Sequence, residues 1–391
     1  MDSWKSKTIR QLSTNVSSGF ACNKSFEVAN GYVHLRTHNI DTSGNLNTDL
    51  FIKIDPKKVD PKKSTLKAGD VLFNNTNSTE LVGKTALVKE NFNYAYSNHL
   101  TKIKFDQDKI LPGYAVYYLN KLWLDGYFAR ICKKWIGQSG VNSNVLKEIE
   151  IPFPLITDQK RIVSKLDDLF KNIEKAIILL VENISHSQAL INSVLDEEFG
   201  KLELKYTSKP LAEIVRVING RAYKQTEMFD SGKYPILRVG NFFSNRGWYY
   251  SDMELDESKY CEKGDLLYAW SASFGPKIWD GEKSIYHYHI WKMVPTSDKV
   301  SRKYMYYLLE RDTDKIKEEN GRGVGMIHIT KGYIESRMMV LPPIEIQEKV
   351  VERIEKFYSL HTNITLELNQ KLENLKALKS SLLDQAFKGE L

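Results

Sequence analysis

The chain reads LITDQKRIVSKLDDLFKNIEKAIILLVENISHSQALINSVLDEEFGK over Leu155–Lys201, and a second stretch repeats it. Pro343–Gly389 reads PIEIQEKVVERIEKFYSLHTNITLELNQKLENLKALKSSLLDQAFKG and aligns without a gap, at an offset of 188 residues. Gln159 matches Gln347, and both copies close on Ser-x-Leu-Asp…Phe. A period this long is not that of a solenoid and indicates two copies of a large unit. A protein built in this way usually recognises a target with two similar parts.

The repeat extends upstream of these two stretches. Leu35-Arg36-x-x-Asn39 matches Leu237-Arg238-x-x-Asn241 at an offset of 202, and Gly69–Phe73 matches Gly264–Tyr268 at 195. The offset changes only in irregular segments, as expected for a rigid scaffold with variable loops. We therefore predict a globular domain over 1–153, a long helix within 154–205, a second globular domain over 206–341 and a second long helix within 342–391.

Length and composition limit the class of protein. A chain of 391 residues exceeds one ordinary core and suits several domains. No apolar run is long enough to cross a bilayer, and the isolated Cys22, Cys132 and Cys261 support neither a disulfide framework nor a zinc cluster. We expect a cytoplasmic protein with no membrane partner. A net charge of +7 is compatible with a nucleic-acid partner without requiring one.

Short apolar runs between Gly- and Asn-rich turns predict strands in both globular domains, and Pro112–Leu122 and Ser301–Leu309 predict a helix in each. The fold class is therefore α+β, with two globular mixed α/β domains separated by two long helices. The predicted strands are Tyr32–Arg36, Asp70–Phe73, Thr85–Val88, Tyr234–Asn241 and Asp265–Trp270.

Both long stretches carry heptad-spaced apolar residues, which predict an antiparallel coiled coil with internal pseudo-two-fold symmetry. Two separate helices, each packed on its neighbouring domain, are the alternative. One seam position comprises Leu166, Ile173, Leu180, Val194, Ile354, Leu368, Leu375 and Leu382, and the other comprises Leu169, Ala176, Leu190, Phe357, Ile364 and Leu378. Asn183, Ser187, His361 and Lys371 interrupt the seams. His361 and Lys371 could mark a register device, a bend or a docking surface.

Catalytic motifs are incomplete in this sequence. Gly83-Lys84-Thr85 resembles the end of a phosphate-binding loop, but Ser78 stands where the first glycine belongs. The Asn/Asp-Pro-Pro-Tyr/Phe motif of amino-group DNA methyltransferases does not occur. His287 and His289 lack metal-ligand spacing. We predict no catalytic residue and no metal site.

Polar loops at equivalent places in the two domains are the better binding candidates. Asn and Ser side chains at loop tips can hydrogen-bond base edges, although they also form turns. These candidates are Asn74, Asn75 and Asn77 in the first domain and Trp270, Ser271 and Ser273 in the second.

A second group of candidates suits the DNA backbone. Arg36, Arg238, Asn39 and Asn241 are the same in both copies, so a phosphate contact or a structural hydrogen bond fits them better than base reading. Basic and polar residues near the start of each domain and before each long helix complete the set. They are Lys24, Lys133, Lys134, Gln138, Arg221, Lys224, Arg322 and His328.

Taken together, these features resemble the specificity subunit of type I restriction–modification systems, over essentially the whole chain. The resemblance rests on the domain–helix–domain–helix order, on Pro-rich helix starts followed by Gln159 or Gln347, and on the closing Ser-x-Leu-Asp…Phe. Lys263–Leu267 and Ala68–Leu72 resemble a strand start common in recognition domains. The family pattern has Glu before the glutamine, whereas this chain has Asp158 and Ile346.

The resemblance implies two target recognition domains, each binding half of an asymmetric, bipartite site in double-stranded DNA. The helices would fix the spacing and dock two modification (methyltransferase) subunits, which would use S-adenosylmethionine to methylate adenine. Restriction (translocase/nuclease) subunits, with ATP and Mg²⁺, would join them, and this chain would hold no cofactor. Two rivals remain: a coiled-coil adaptor with protein- or carbohydrate-binding domains, and an enzyme with an unfamiliar site, such as a nuclease.

Overall fold

A computed structural model describes residues 4–244, 247–271, 274–320 and 329–391. The chain divides into two compact units. Unit 1 comprises Met1–Leu180 and Gln370–Leu391, and unit 2 comprises Val181–Asn369. Each unit therefore combines one globular domain with part of both long helices. In the described residues, no helix is long and apolar enough to cross a membrane.

Unit 1 is built of short strands with a few helices. Its strands are β1 Ser6–Thr8, β2 Ser13–Ser18, β3 Glu27–Leu35, β4 Lys53–Ile54, β5 Asp70–Asn74, β6 Thr76–Asn77, β7 Thr85–Leu87, β8 Ala95–Tyr96, β9 Leu100–Phe105, β10 Lys133–Trp135, β11 Gln138–Gly140 and β12 Glu150–Pro152. Its helices are α1 Ile9–Leu12, α2 Pro112–Leu124, α3 Tyr127–Ile131 and α4 Ser143–Lys147, followed by the start of the long helix α5 Ile156–Glu203.

Unit 2 repeats this arrangement. Its strands are β13 Ser208–Pro210, β14 Val215–Asn219, β15 Tyr234–Leu237, β16 Tyr249–Ser251, β17 Tyr260–Cys261, β18 Leu266–Ala269, β19 Gly275–Ile278, β20 Ser284–Tyr286, β21 Ile290–Pro295 and β22 Met338–Val340. Its helices are α6 Leu211–Ile214, α7 Val239–Ser244, α8 Arg302–Asn320, α9 Lys331–Glu335 and the start of α10 Ile344–Lys388. The predicted strand at 234–241 is wrong beyond Leu237, because the chain turns into α7 there.

The sheets confirm that the two domains are copies. The antiparallel order β2-β9-β5-β7 of unit 1 recurs as β14-β21-β18-β19 in unit 2. The parallel pair β3/β8 recurs as β15/β20, and β1/β12 recurs as β13/β22. In unit 1 a further sheet has the order β10-β11-β6. The predicted α+β class is therefore confirmed.

The repeated Gly-Asp marks a turn that enters the central strand of each sheet. Gly69 and Gly264 have φ of +92° and +94°, which favour glycine. Asp70 accepts a hydrogen bond from the Lys67 amide, and Asp265 accepts one from the Glu262 amide, each at 2.9 Å. Each carboxylate thereby stabilises the turn that leads into the strand.

The long helices pair antiparallel inside each unit, as predicted. In unit 1, Lys379 of α10 pairs with Glu174 of α5 at 3.2 Å. In unit 2, the Ser187 hydroxyl lies 2.8 Å from His361 Nδ1 across the two helices. Two residues that interrupt the seams in sequence thus contact each other. A polar pair inside a coiled-coil seam fixes register, which is one of the roles considered for His361.

The second seam position was assigned wrongly at four of its six residues, whereas Leu169 packs against the core of unit 1. Leu190, Phe357, Ile364 and Leu378 are exposed, at 59%, 42%, 49% and 44%. The helices instead turn inward the residue one position later, as with the buried Ile191. Because α-helical positions three and four residues apart share one face, adjacent apolar residues leave the sequence ambiguous. Lys371 is exposed for the same reason, since Leu372 takes the inward position.

The repeated glutamine fastens the start of each long helix to its domain. Gln159 is fully buried, accepts a hydrogen bond from the Leu111 amide and donates to the carbonyls of Lys109 and Pro154. The repeated phenylalanine anchors the other end. Phe199 of α5 packs edge-on to Tyr304 of unit 2, and Phe387 of α10 contacts Tyr114 of unit 1. Each long helix therefore starts in one unit and ends in the other.

Candidate nucleic-acid interface

In unit 1 the structure brings two separate groups of candidates into one sheet. Strand β6 pairs with β11, so that Asn77 lies opposite Ser139. Strand β11 in turn pairs with β10, which carries Lys133 and Lys134. The polar loop after β5 and the basic segment before α5 therefore form a single surface.

A cleft of about 460 Å³ lies beside this sheet. Asn75 is one of its lining residues, and its backbone amide donates to the His99 carbonyl while its own carbonyl accepts from the Val141 amide. The lining is mixed polar and apolar, with one lysine, Lys133. It comprises Ser18, Asn75, Thr76, Asn98, Lys133, Trp135, Gly140, Val141, Asn142 and Ser143. Gln138 is exposed on the neighbouring strand.

Several candidate asparagines use their side chains inside the domain. The Asn75 amide donates to the Asn98 carbonyl and the Thr101 hydroxyl, and the buried Asn74 donates to the Leu81 carbonyl. Asn77 accepts from the Ser78 amide. These side-chain hydrogen bonds shape the loop, as expected if the asparagines form turns and do not contact base edges. The neighbouring Asn98, in contrast, has an exposed side chain.

Asn39 and Asn241 also have a structural role. Each is buried and accepts a hydrogen bond from the backbone amide of the arginine three residues earlier, at 2.8 and 2.6 Å. Each also donates to carbonyls of its own domain. The repeated Arg-x-x-Asn is therefore a capped turn, and the structure favours the structural hydrogen bond over the phosphate contact for both asparagines.

The arginines and lysines differ in their availability. Arg36 is half-buried and lies 3.6 Å from Glu27, whereas Arg238 is exposed over the ring of Tyr249. Arg221 forms two hydrogen bonds with Glu227, and this guanidinium lowers the pKa of Glu227 to about 2. Exposed side chains suited to phosphates are Lys24, Lys133, Lys134, Lys224 and Arg238.

Unit 2 has an equivalent strand-end surface with different chemistry. The Trp270 amide donates to the His289 carbonyl, as the Asn75 amide does to that of His99. Trp270 stacks on Trp291 and donates its indole N–H to the Tyr288 carbonyl at 2.8 Å. It therefore supports the loop His287–His289, on which Tyr288 is exposed. Ser271 is buried beside it, and Ser273, Arg322 and His328 lie outside the described residues.

Burial lowers the pKa of one histidine beside each surface. Burial, and then the nearby His289 and Arg238, lower the pKa of His287 to about 4. Burial and Arg36 lower the pKa of His99 from its usual value. A neutral imidazole offers both a donor and an acceptor. In the described residues, no group of His, Cys, Asp and Glu side chains is arranged to hold a metal ion.

The loops 97–99 and 287–289 were not predicted from the sequence as binding candidates. Their flanks repeat, since Tyr96 and Leu100 match Tyr286 and Ile290 at an offset of 190. That repeat was the available signal. His287 and His289 were considered only as metal ligands, and the two loops themselves differ in sequence.

The comparisons with known proteins agree with this architecture. Residues 1–183 and 203–374 match the type I restriction modification DNA specificity domain. The putative type I restriction enzyme MjaX specificity subunit of Methanocaldococcus jannaschii is 24% identical over 413 residues, covering 100% of this chain and 94% of that protein. The StySPI specificity subunit of Salmonella potsdam is 22% identical over 395 residues, covering 91% of this chain and 82% of that protein.

Solved structures share the fold. A chain from a study of complex assembly and conformational transition of the type I R-M system has a TM-score of 0.78 and 18% identity, covering 100% of this chain and 99% of that one. The HsdS subunit of Thermoanaerobacter tengcongensis has a TM-score of 0.53 and 18% identity, covering 100% of this chain and 98% of that one. As its sequence predicted, the chain belongs to the family of type I restriction modification DNA specificity domains, and its function is DNA sequence recognition.

Proposed function

We propose that this chain is a non-catalytic subunit that reads a bipartite, asymmetric site in double-stranded DNA, with one half-site bound by each unit. The observation that carries this proposal is the pair of equivalent strand-end surfaces. In both, the backbone amide of the residue that follows the central strand, Asn75 or Trp270, donates to the carbonyl of a histidine. The exposed side chains around this shared hydrogen bond differ. A shared frame with different contents suits two different half-sites, because base edges are distinguished by donor, acceptor and methyl patterns.

The long helices would dock two methyltransferase subunits. Support comes from the apolar side chains that are exposed along both helices. They are more numerous than the single apolar residues normally scattered over a surface, and such groups mark contacts with other proteins. They are Ile178, Leu179, Val181, Leu190, Phe357, Leu360, Ile364, Leu366 and Leu378. S-adenosylmethionine would bind to those partners, and ATP and Mg²⁺ to restriction subunits.

The docking proposal predicts that Phe357→Glu weakens capture of the methyltransferase subunit at least tenfold, because a charge replaces apolar contact area. Ser359→Glu is a matched control, since Ser359 is exposed two residues away and receives the same charge. Both variants should keep the melting temperature of the wild-type chain. Equal capture by the two variants, measured by pull-down with purified methyltransferase, would contradict this docking surface.

The direct test of the function is a genome-wide map of methylated adenines in cells that express this chain with its methyltransferase, compared with cells that lack this chain. A new motif of two short half-sites around a fixed unread gap is the expected result. A stable complex without a new motif would favour the adaptor alternative. Binding to a DNA duplex should also fall steeply with salt, as counterion release requires.

A further inference from the structure

The hairpin formed by β10 and β11, called here the 133–140 hairpin, carries two large apolar side chains at its tip. Gly137, with φ of +76°, makes the tight reversal. Ile136 is fully exposed, and Trp135 is 54% exposed. Within the described part of unit 1, neither side chain belongs to a hydrophobic core. The full exposure of Ile136 therefore needs an explanation other than core packing.

The hairpin is held firmly at its base. Strand β11 continues the sheet through β6, and the Ser139 hydroxyl lies 2.7 Å from that of Thr79. The Trp135 ring covers Gly140, where an added Cβ would lie 3.0 Å from the ring. A tip carried on a paired strand keeps its geometry better than one on a free loop.

The charge around the tip favours a polyanion as its partner. The segment Ala129–Lys147 contains four basic residues and no carboxylate. Lys133 and Lys134 are exposed on either side of the first strand, since adjacent strand residues point to opposite faces. Lys133 Nζ lies 5.9 Å from the Trp135 ring and borders the cleft. An apolar tip between two lysines matches a nucleic-acid groove, where apolar base atoms lie between two rows of phosphates.

The length of the 133–140 hairpin suits the major groove of DNA. Three-residue strands project about 10 Å at roughly 3.4 Å per residue. The major groove is about 8.5 Å deep and about 12 Å wide, and it admits a two-stranded ribbon. The thymine methyl group in that groove is a base feature that an aliphatic side chain recognises.

We propose that the 133–140 hairpin enters the major groove of the half-site bound by unit 1, with Ile136 against a thymine methyl group and Lys133 and Lys134 at the flanking phosphates. This assignment rests on the proposed function and names a specificity-determining residue within it. Ile136 then determines one base pair of one half-site, while the lysines bind without regard to sequence.

The test is the methylated-adenine map of the complex that contains Ile136→Ala. We expect one T·A position in a single half-site to become degenerate, with the other half-site and the gap unchanged. Leu50→Ala, which truncates another exposed aliphatic side chain of unit 1, should leave the motif intact. Lys133→Ala/Lys134→Ala should lower methylation at all sites alike and reduce the salt slope of binding by about two.

A duplex with uracil in place of thymine at that position isolates the methyl group. The substitution should weaken binding of the wild-type complex about three- to fivefold and leave the Ile136→Ala complex unchanged. An unaltered motif for Ile136→Ala, a degenerate G·C position, or a uniform loss of methylation would each overturn the assignment. A wild-type complex that methylates no split motif would instead refute the proposed function, and the hairpin assignment with it.

Discussion

Gln347 is buried at the start of α10 and uses its whole side-chain amide within unit 2. It accepts from the Ser301 amide at 2.9 Å and donates to the carbonyls of Lys299 and Pro342 at 2.9 and 2.8 Å. Gln347→Leu would remove the side-chain partner of three backbone groups, namely the buried Pro342 carbonyl and the partly buried Ser301 amide and Lys299 carbonyl. We expect the free energy of unfolding of unit 2 to fall by about 2–4 kcal/mol, since each such group costs about 1–3 kcal/mol with partial relaxation.

Urea unfolding followed by hydrogen exchange in α8 would measure the effect of Gln347→Leu. Gln370→Leu is the control, because Gln370 is exposed on the same helix and its replacement should change stability by no more than about 0.5 kcal/mol. Equal stability of the two variants would show that the Gln347 side-chain hydrogen bonds do not stabilise unit 2. The sequence identified this glutamine as repeated, but two of its three partners, Lys299 and Ser301, lie more than forty positions away, so its role required the structure.

His34 predicts how unit 1 responds to acid. It is buried against Phe20, and burial, followed by Arg36, lowers its pKa to about 4. In the unfolded chain this histidine binds a proton near pH 6.5, whereas in the folded chain it does so only near pH 4. The contribution of neutral His34 to the free energy of unfolding is therefore present above pH 6.5 and is lost as the pH falls towards 4. His34→Phe should reduce the drop in urea midpoint between pH 7.5 and pH 5, whereas His186→Phe, at an exposed position, should not.

Among the helices and strands, the two long helices show which features a heptad pattern predicts and which it does not. Heptad spacing predicted their extent and antiparallel pairing, because the repeat of apolar residues is a local property of each helix. It did not predict which of two adjacent residues faces inward, as at Leu190 and Ile191, since the partner helix decides that choice. The pairing of β6 with β11 joins residues 77 and 139 and has no local signal at all.

Because α10 ends in unit 1, the last residues of the chain should stabilise its first domain. Phe387 contacts both Tyr114 and Tyr118, at 5.1 and 4.9 Å between ring centroids. We expect Phe387→Ala to destabilise unit 1 by on the order of 2–3 kcal/mol, because the ring is partly buried there. Hydrogen exchange should rise in α2 and stay unchanged in α8. The same change at the exposed Phe357 should affect neither, and faster exchange confined to α8 would contradict this assignment.

For the whole molecule, the duplication predicted the order of domains, and the family resemblance predicted the function. Both rest on features that repeat at fixed offsets, such as the two long helices and the Gly-Asp turns. The two candidate surfaces were predicted only in part, because the exposed side chains there differ between copies. Loops 97–99 and 287–289 accept equivalent backbone hydrogen bonds, yet only the residues that flank the two loops match in sequence.

Helix length should set the gap between the two half-sites. The compact units divide at Leu180 in α5 and at Asn369 in α10, so residues 177–183 and 367–373 surround the dividing points. Removing both heptads shortens the helix pair by about 10 Å and keeps the seam in phase, because seven residues make about two turns. We expect the methylated motif to retain both half-sites and to lose about three base pairs of its gap, at roughly 3.4 Å per base pair. Duplicating the same heptads should lengthen the gap by a similar amount. An unchanged gap in either variant would mean that the docked partner subunits, and not these helices, determine the spacing.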